Sequence, residues 1–371
     1  MGAARAGFRI AGAVEWDEKA VAAHARNFPA TAHLKTDVSA LQGKELLQAA
    51  GLDSGELSGL IGGPPCQGFS GIGRHSPGDE RNNLFSEFFR LVRETLPAFY
   101  MAENVPNIMH DKFKALRDAA LSLVPPSYVR LAPIEVNASL YGAPTRRTRV
   151  FFIGYDPSRL HPLTTASFSP PADLPAVKVR EALDGLPGDI DPGWQDEAAG
   201  WRRVGPYPET PFGEHLRSRV PEGVGDAVAL QRLKHHSEVS GCLGTAHAQD
   251  TITRFSALGG GRVDRISRYV RLDLDGFCPT LRAGTGADHG SYMAARPIHP
   301  THPRVITPRE AARLQGFPDW FVFDRTKWHS FRQIGNSVSP LAAEGVLRIL
   351  REHLREVQRV TIEERVGAKQ F

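Results

Sequence analysis

The sequence predicts an α/β protein with a doubly wound, mostly parallel sheet and a second, smaller, loop-rich domain. Short apolar runs alternate with stretches of helical periodicity over roughly the first 155 residues, as is typical of parallel sheets covered by helices on both faces. The composition then changes, because residues 161–226 contain ten of the chain's 28 prolines and little helical periodicity. Such stretches are typical of loops, and a boundary is expected in this region.

The elements of the first region follow in chain order. The apolar run 10–14 predicts a strand, and the helix formers at 18–28 predict a helix that ends before Pro29. The run 57–61 predicts a weaker strand, since serine and glycine interrupt it before a Gly-Gly-Pro-Pro turn. Apolar residues at helical spacing over 84–96 predict a second helix, which ends at a proline.

Two unbroken apolar runs, 98–101 and 150–153, predict strands that are buried on both faces of the sheet. Helical periodicity returns near the C-terminus, at 310–314 and in the amphipathic stretch 341–356. We therefore expect the loop-rich region to lie between a sheet-forming first half and a helical C-terminal part.

The composition excludes several classes of protein. The 371 residues are 41% hydrophobic and 23% charged, and no apolar run approaches the ~18–20 residues that a membrane span needs. The N-terminus lacks the apolar segment of a signal peptide, and three cysteines cannot build a disulfide framework. A cytoplasmic enzyme or a nucleic-acid-binding protein is therefore expected.

Positive charge is concentrated in one stretch. The chain carries a net charge of +4, whereas Arg254 to Arg313 includes ten arginines, five acidic residues and no lysine. Arginine interleaved with small polar residues suits phosphate contacts and the reading of guanine, although a solvated basic face explains the composition equally well. The candidate DNA-binding residues are Arg254, Arg262, Arg265, Arg268 and Arg282.

The most informative segment is GGPPCQGFS at 62–70, directly after a predicted strand. Its prolines stiffen the turn, and its glycines allow the backbone to pass close to a ligand. The thiol of Cys66 is therefore expected at the carboxyl end of a parallel strand, where open sheets bind ligands. It would be a nucleophile if positive charge lowered its pKa; a buried structural cysteine is the alternative.

This segment, with Pro64-Pro65-Cys66-Gln67 and Phe69-Ser70, resembles the catalytic loop of the DNA cytosine-5 methyltransferases, here of the bacterial restriction–modification type. Four further elements resemble this family and occur in its order: Glu-Asn-Val at 103–105, Arg-Thr-Arg at 147–149, REAARLQGFP at 309–318 and QIGNSV at 333–338. Together the five elements extend over most of the chain.

The resemblance implies transfer of a methyl group from S-adenosylmethionine to C5 of a specific cytosine that is rotated out of duplex DNA. Cys66 would add to C6 as a thiolate, and a protonated Glu103 with a raised pKa would bind N3 and the exocyclic amine. Arg147 would hold the O2 edge and help to keep Cys66 ionised, with Arg149 nearby. No metal is required.

The same resemblance implies a cofactor site. An acidic residue after a strand commonly binds ribose hydroxyls, which suits Glu15, while Trp16 would stack on adenine and Asp37 would meet its amine. The remaining cofactor-binding residues would be Val38, Pro65, Leu84, Asn336 and Ser337.

Each of these side chains also has a purely structural interpretation. Glu103 could cap a helix, the two arginines could form an edge pair, and Asn336-Ser337 could be a helix N-cap. His235 and His236 lack metal-ligand spacing to Cys242 or Cys278, so these cysteines are predicted to be structural.

The resemblance also implies the domain division: a catalytic and cofactor-binding domain at 1–186 and 329–371, and a target-recognition domain at 187–328. The family's first strand and its glycine-rich loop are not found, which suggests a start upstream of Met1 and predicts two unpaired sheet edges. Thr145 also stands where the family usually has glutamine.

We expect a monomer that acts on double-stranded DNA, alongside a cognate restriction endonuclease for the same site. The alternatives are an RNA cytosine-5 methyltransferase and a catalytically decayed DNA-binding homologue.

Overall fold

The structure is a computed structural model that describes residues 1–64, 83–193, 200–218, 220–284 and 296–355. The strands in these ranges are β1 (Gly12–Glu15), β2 (Ala32–Lys35), β3 (Gly59–Gly62), β4 (Phe99–Asn104), β5 (Val129–Arg130), β6 (Ile134–Asn137), β7 (Thr145–Arg146), β8 (Thr148–Tyr155), β9 (Arg202–Arg203), β10 (Glu238–Val239) and β11 (Cys278–Pro279).

The helices in the same ranges are α1 (Gly2–Arg5), α2 (Glu18–Asn27), α3 (Gly43–Ala49), α4 (Asn83–Thr95), α5 (Lys114–Leu121), α6 (Val179–Leu183), α7 (Pro211–Leu216), α8 (Ala227–His236), α9 (Gln249–Ser256), α10 (Pro308–Gln315), α11 (Lys327–Asn336) and α12 (Pro340–Glu352). Short 3₁₀ turns occur at Pro106–Met109, Asp111–Phe113, Ala138–Tyr141 and Thr165–Phe168.

The main sheet is mixed rather than mostly parallel. β3 pairs with β4 in parallel, but β8 runs antiparallel to β4 and also to β5 and β6. The apolar run predicted β8 correctly as a strand buried on both faces. Its direction was not predictable, because the hydrophobic pattern of a strand contains no information about which way its neighbour runs.

β1 and β2 form a separate parallel pair. Among the residues that the structure describes, no strand pairs with the second edge of β1 or with the edge of β3 opposite β4. Two unpaired edges were expected from the sequence, and both are present within these ranges.

Local sequence signals explain where the predicted helices begin and end. The carboxylate of Asp17 accepts a hydrogen bond from the Ala20 amide at 3.0 Å and caps α2, which ends shortly before Pro29. Thr307 and Glu310 form a reciprocal capping box at the start of α10, and Gly316 ends that helix with φ +89°.

The largest core cluster surrounds α10 and includes the fully buried Trp320. It combines Ala4 and Phe28 from the N-terminal region with Phe212 and Leu272 from the loop-rich region. The described residues therefore pack continuously across the predicted boundaries at 187 and 328, and the domain division remains a prediction.

Candidate active site

The carboxyl of Glu103 is the centre of the site. Glu103 is the fifth of the six residues of β4, and its Oε1 lies 2.6 Å from Nε of Arg149 on β8. The two side chains are only 13% and 14% exposed. The antiparallel register places Glu103 opposite Phe151, two residues from Arg149, so the ion pair follows directly from the pairing of these strands.

The turn after β3 lies against the same carboxyl. A Cβ atom added to Gly63 would lie 3.1 Å from Oε2 of Glu103, so the approach is close. Asn104 is buried, and its Nδ2 donates a weak hydrogen bond to the carbonyl oxygen of Pro64 at 3.4 Å. The cysteine-containing segment therefore starts beside Glu103; Pro65 and Cys66 themselves lie outside the described residues.

Burial raises the pKa of the Glu103 carboxyl, and the guanidinium charges of Arg149 and Arg147 oppose this shift without cancelling it. The direction agrees with the role that requires a protonated carboxyl. The cause is physical: removal from water penalises the charged form of a carboxylic acid.

Arg147 is the residue between β7 and β8, and its side chain contacts two other segments of the chain. Its side chain is 2% exposed, and Nη1 and Nη2 donate to the carbonyl oxygens of Leu281 and Gly335 at 2.9 and 2.8 Å. Arg149, rather than Arg147, therefore makes the direct contact with Glu103, while Arg147 contributes charge to the site.

Glu15 is the last residue of β1, Asp37 lies two residues after the end of β2, and the two carboxylates are held in the same way. Oε1 of Glu15 accepts the amides of Trp16 and Asp17 at 2.8 and 3.0 Å, and Oδ1 of Asp37 accepts the amide and hydroxyl of Ser39 at 2.9 and 2.8 Å. These bonds to Ser39 lower the pKa of Asp37. Each carboxylate is thus oriented through one oxygen, and its second oxygen accepts no hydrogen bond from the described residues.

These residues fit a nucleoside cofactor. The free carboxylate oxygens are acceptors for hydroxyl and amine donors, and the Trp16 indole is 71% exposed and available for stacking. Val38 packs on a small apolar cluster beside this edge, and Leu84 belongs to the first turn of α4. The set therefore offers what adenine and ribose require.

Asn336 and Ser337 lie at the C-terminal end of α11, the helix that contacts the start of α2. Asn336 is the last residue of this helix and Ser337 its C-cap, so neither is the N-cap of α12, which begins after Ser339. Two contacts join α11 to the start of α2: Arg332 lies 3.4 Å from Asp17, and the Gln333 amide donates to the Lys19 carbonyl oxygen at 3.1 Å.

The arginine-rich stretch is not one exposed face. Four of its members are buried and bonded to protein groups: Arg271, Arg304, Arg309 and Arg313. The residues Arg262, Arg265, Arg268 and Arg282 are exposed, and Arg254 is paired with the buried Asp264 at 2.9 Å.

Three of the exposed arginines lie on a tight turn, residues 262–270, which we call the arginine hairpin. Val263 and Val270 form an antiparallel bridge, and the Asp264 amide donates to the Tyr269 carbonyl oxygen at 2.8 Å. Asp264 also accepts the amide and hydroxyl of Ser267, both at 2.7 Å. The hairpin is therefore well ordered by its own bonds, and its arginines extend outwards.

Cys242 and Cys278 are buried free thiols, as expected of structural cysteines. Burial raises the pKa of Cys242 to about 12 and that of Cys278 further. The described ranges contain no cluster of metal-ligating side chains and no helix long and apolar enough to cross a membrane.

Sequence reasoning missed the hydrogen bond from Asn104 to Pro64 and the approach of Gly63 to Glu103. The Asn of the Glu-Asn-Val element and the doubled glycine were the available signals. Neither says which groups meet, because that depends on the pairing of β3 with β4.

Solved structures that resemble this one belong to methyltransferases. A protein of an Escherichia coli prophage, described as a DNA modification methyltransferase, superposes with a TM-score of 0.85 at 48% identity, over 95% of this chain and 94% of that one. The S. pombe Dnmt2 methyltransferase has a TM-score of 0.57 at 14% identity, which shows a shared fold alone. The class of this protein is thus an α/β methyltransferase.

A family model and two similar relatives define the protein more narrowly than this class. The model of the C-5 cytosine-specific DNA methylases matches residues 1–352, and the chain belongs to this family. It is 35% identical to the type II methyltransferase M.XorII of Xanthomonas oryzae pv. oryzae over 93% of this chain and 80% of that protein. It is 29% identical to M.DdeI of Desulfomicrobium norvegicum, over 92% and 84%. The protein is a DNA cytosine-5 methyltransferase of the restriction–modification kind, and the resemblance seen in the sequence is confirmed.

Proposed function

We propose that this enzyme methylates C5 of a cytosine in a specific duplex sequence through a covalent bond between Cys66 and C6, with the base rotated out of the helix. The observation that carries the proposal is the largely buried Glu103 carboxyl, which lies beside Arg149 and the start of the Cys66 segment. A flipped base can bring its Watson–Crick edge to such a group, whereas a stacked base cannot.

Addition of the Cys66 thiolate to C6 moves an electron pair into the ring towards C5 and N3. A protonated Glu103 meets this charge by sharing its proton with N3 and by accepting the exocyclic amine through its other oxygen. Arg149 holds the carboxyl in place. Because Arg149, rather than Arg147, contacts Glu103, we assign to its guanidinium the O2 edge that the resemblance gives to Arg147. Arg147 adds positive charge, which also favours the thiolate form of Cys66.

When bound, S-adenosylmethionine supplies the electrophilic methyl group that C5 accepts. We assign its ribose hydroxyls to Glu15, its adenine amine to Asp37 and its adenine face to Trp16. The remaining walls are assigned to Val38, Pro65, Leu84, Asn336 and Ser337. After transfer, a base removes the C5 proton, the C5–C6 double bond re-forms, and the Cys66 thiolate leaves.

A substrate with fluorine at C5 tests this mechanism, because fluorine cannot leave as a cation and the enzyme stays bound to C6. Plasmid-length duplex synthesised with 5-fluoro-dCTP presents the target whatever its sequence. With S-adenosylmethionine present, we expect a complex that survives a denaturing gel, and none with Cys66→Ser. Methyl transfer to ordinary DNA without such an adduct would disprove the covalent route.

The arginine hairpin and Arg282 are the proposed DNA contacts, and we assign Arg254 to holding the hairpin through Asp264. Changing Arg262 and Arg265 to glutamine is expected to weaken binding to all duplexes. It should also reduce the slope of log K against log salt by about 0.9 for each phosphate that the protein no longer neutralises. Filter binding at several salt concentrations measures both effects.

The matched control is Arg130→Gln, an exposed arginine on β5 outside the arginine-rich stretch. It should leave the salt slope unchanged. An unchanged slope in the hairpin variant as well would remove the hairpin from the DNA interface.

The relatives are named as type II methyltransferases. We therefore propose that a restriction endonuclease acts on the same DNA site and that this chain protects the site as a monomer.

A further inference from the structure

We infer that Arg147 is a positioning residue that fastens the recognition segment, residues 278–284, to the C-terminal end of α11, and that this link couples DNA binding to methyl-donor binding. The inference rests on the proposed function, because it takes DNA as the ligand of the recognition segment and the donor as the ligand of Asn336 and Ser337.

The first part of the link joins the recognition segment to the catalytic sheet. β11 pairs in parallel with β7, so that Cys278 lies opposite Thr145. The Thr145 hydroxyl donates to the Cys278 carbonyl oxygen, and the Thr280 hydroxyl donates to that of Arg146, both at 3.1 Å. The segment is therefore held along the strand that leads into Arg147.

The second part is the Arg147 guanidinium. Its two terminal nitrogens donate to Leu281 O at 2.9 Å and to Gly335 O at 2.8 Å. One rigid, planar cation thus bridges a carbonyl of the recognition segment and a carbonyl in the last turn of α11. Since Arg147 is almost fully buried, these charge-assisted bonds are shielded from water.

The third part is direct contact between the two bridged segments. A Cβ atom added to Gly335 would lie 2.5 Å from Arg282 C and 2.5 Å from Ala283 N. Only a residue without a side chain fits there, so the backbone of α11 and that of the recognition segment touch. Arg282, directly after Leu281, is exposed and is one of the proposed DNA contacts.

The fourth part leads to the donor side. α11 is joined to the start of α2 by Arg332 and Gln333, and the Gln315 amide donates to the Ser337 carbonyl oxygen at 3.0 Å. A shift of the recognition segment on DNA binding is thereby transmitted to Asn336, Ser337 and the turn at Trp16. Two ligands that bind more tightly to the same arrangement of α11 each increase the affinity for the other by the same factor.

The test measures binding of S-adenosylhomocysteine by calorimetry, with and without saturating unmethylated plasmid DNA. In the unchanged enzyme we expect DNA to tighten this binding. The variant Arg147→Met lacks both hydrogen-bond donors, and in it the factor by which DNA increases the affinity for S-adenosylhomocysteine should be about tenfold smaller. The affinity for each ligand alone should stay within a few-fold of that of the unchanged enzyme. Arg147→Lys keeps the positive charge but lacks the two terminal nitrogens that donate to Leu281 and Gly335. In this variant DNA should increase the affinity for S-adenosylhomocysteine by an intermediate factor. Arg130→Met should retain the factor of the unchanged enzyme.

A second variant keeps Arg147 and separates the segments. Gly335→Ala should also weaken the tightening, since its methyl group forces Arg282 and Ala283 away. Amide hydrogen exchange without ligands should increase mainly at 278–284 and 333–337 in both variants. Faster exchange throughout the chain would indicate a merely structural role and would overturn the inference.

The remaining outcomes separate the inference from the proposed function. If the unchanged enzyme binds neither S-adenosylhomocysteine nor DNA, the proposed function fails, and the inference with it. If it binds both without mutual tightening, or if Arg147→Met lowers only kcat, the proposed function stands and the inference is wrong.

Discussion

Replacing Glu103 with glutamine is expected to lower kcat for methyl transfer by about 10²–10⁴-fold, the range typical of a lost general acid. Glutamine preserves the size of the side chain and one acceptor oxygen, but it cannot share a proton with N3 of the cytosine. It also removes the negative partner of Arg149, which lies 2.6 Å from the carboxyl. Incorporation of tritiated methyl groups into unmethylated plasmid DNA measures the effect.

The pH dependence follows from the raised pKa of Glu103, which burial causes. If the protonated form is the active one, kcat falls as the pH rises through that pKa, and Glu103→Gln lacks this decrease. The same shift means that the folded state binds this proton more tightly than the unfolded state. Its stabilising contribution is therefore complete at low pH and is lost as the pH rises through the folded-state pKa.

The control is Glu135→Gln, an exposed residue of β6 in the same sheet. It should leave kcat and the pH profile unchanged. Glu103→Gln with kcat within about threefold of the unchanged enzyme would contradict the acid role, since general acid–base groups contribute far more than this.

Replacing Asp319 with asparagine is expected to lower the free energy of unfolding by about 3–5 kcal/mol, the cost of breaking a buried ion pair. Asp319 receives two bonds from Arg313, at 2.9 and 2.7 Å, and one from the Tyr207 hydroxyl at 2.6 Å. Arg309 lies 3.8 Å away, and all three charged side chains are essentially inaccessible to water. The variant leaves two buried cations without their counter-charge. Denaturant unfolding measures the loss.

Burial alone would raise the pKa of Asp319, but the charge and hydrogen bonds of Arg313 hold it below its usual range. The stabilising contribution is thus complete above the unfolded-state pKa and is lost as the pH falls through the folded-state pKa. The difference between the two proteins should therefore be largest near neutral pH and shrink on acidification.

Asp275→Asn is the matched control, because Asp275 also accepts several hydrogen bonds from one arginine, Arg180, but both side chains are largely exposed. An exposed pair contributes about 0–1 kcal/mol. Equal losses in the two variants would show that burial does not decide the contribution of these pairs.

Much of the fold and the family could be predicted from the order of local patterns. The apolar runs predicted β4 and β8, and helix signals predicted α2 and α4 within a residue or two. Five motifs in sequence identified a cytosine-5 methyltransferase, and the family match confirmed it. Such signals depend on residues that are close in the chain, so no tertiary contact is needed to recognise them.

The arginine-rich stretch is an example of what such local patterns cannot predict. Ten arginines between Arg254 and Arg313 suggested a surface for DNA, yet Arg309 and Arg313 are buried around Asp319. Composition counts charges but cannot distinguish a solvated guanidinium from one that is paired inside the protein. Only packing decides that, because burial of an arginine requires a partner brought from another element.

The sequence by itself determined the α/β class, the methyltransferase family and the candidate chemistry of Cys66 and Glu103. Only the tertiary structure decided that Arg149 contacts Glu103 and that Arg147 joins Leu281 to Gly335. The physical reason is that the motifs are read along the chain, whereas these bonds depend on strand register and on the close approach of segments more than 130 residues apart.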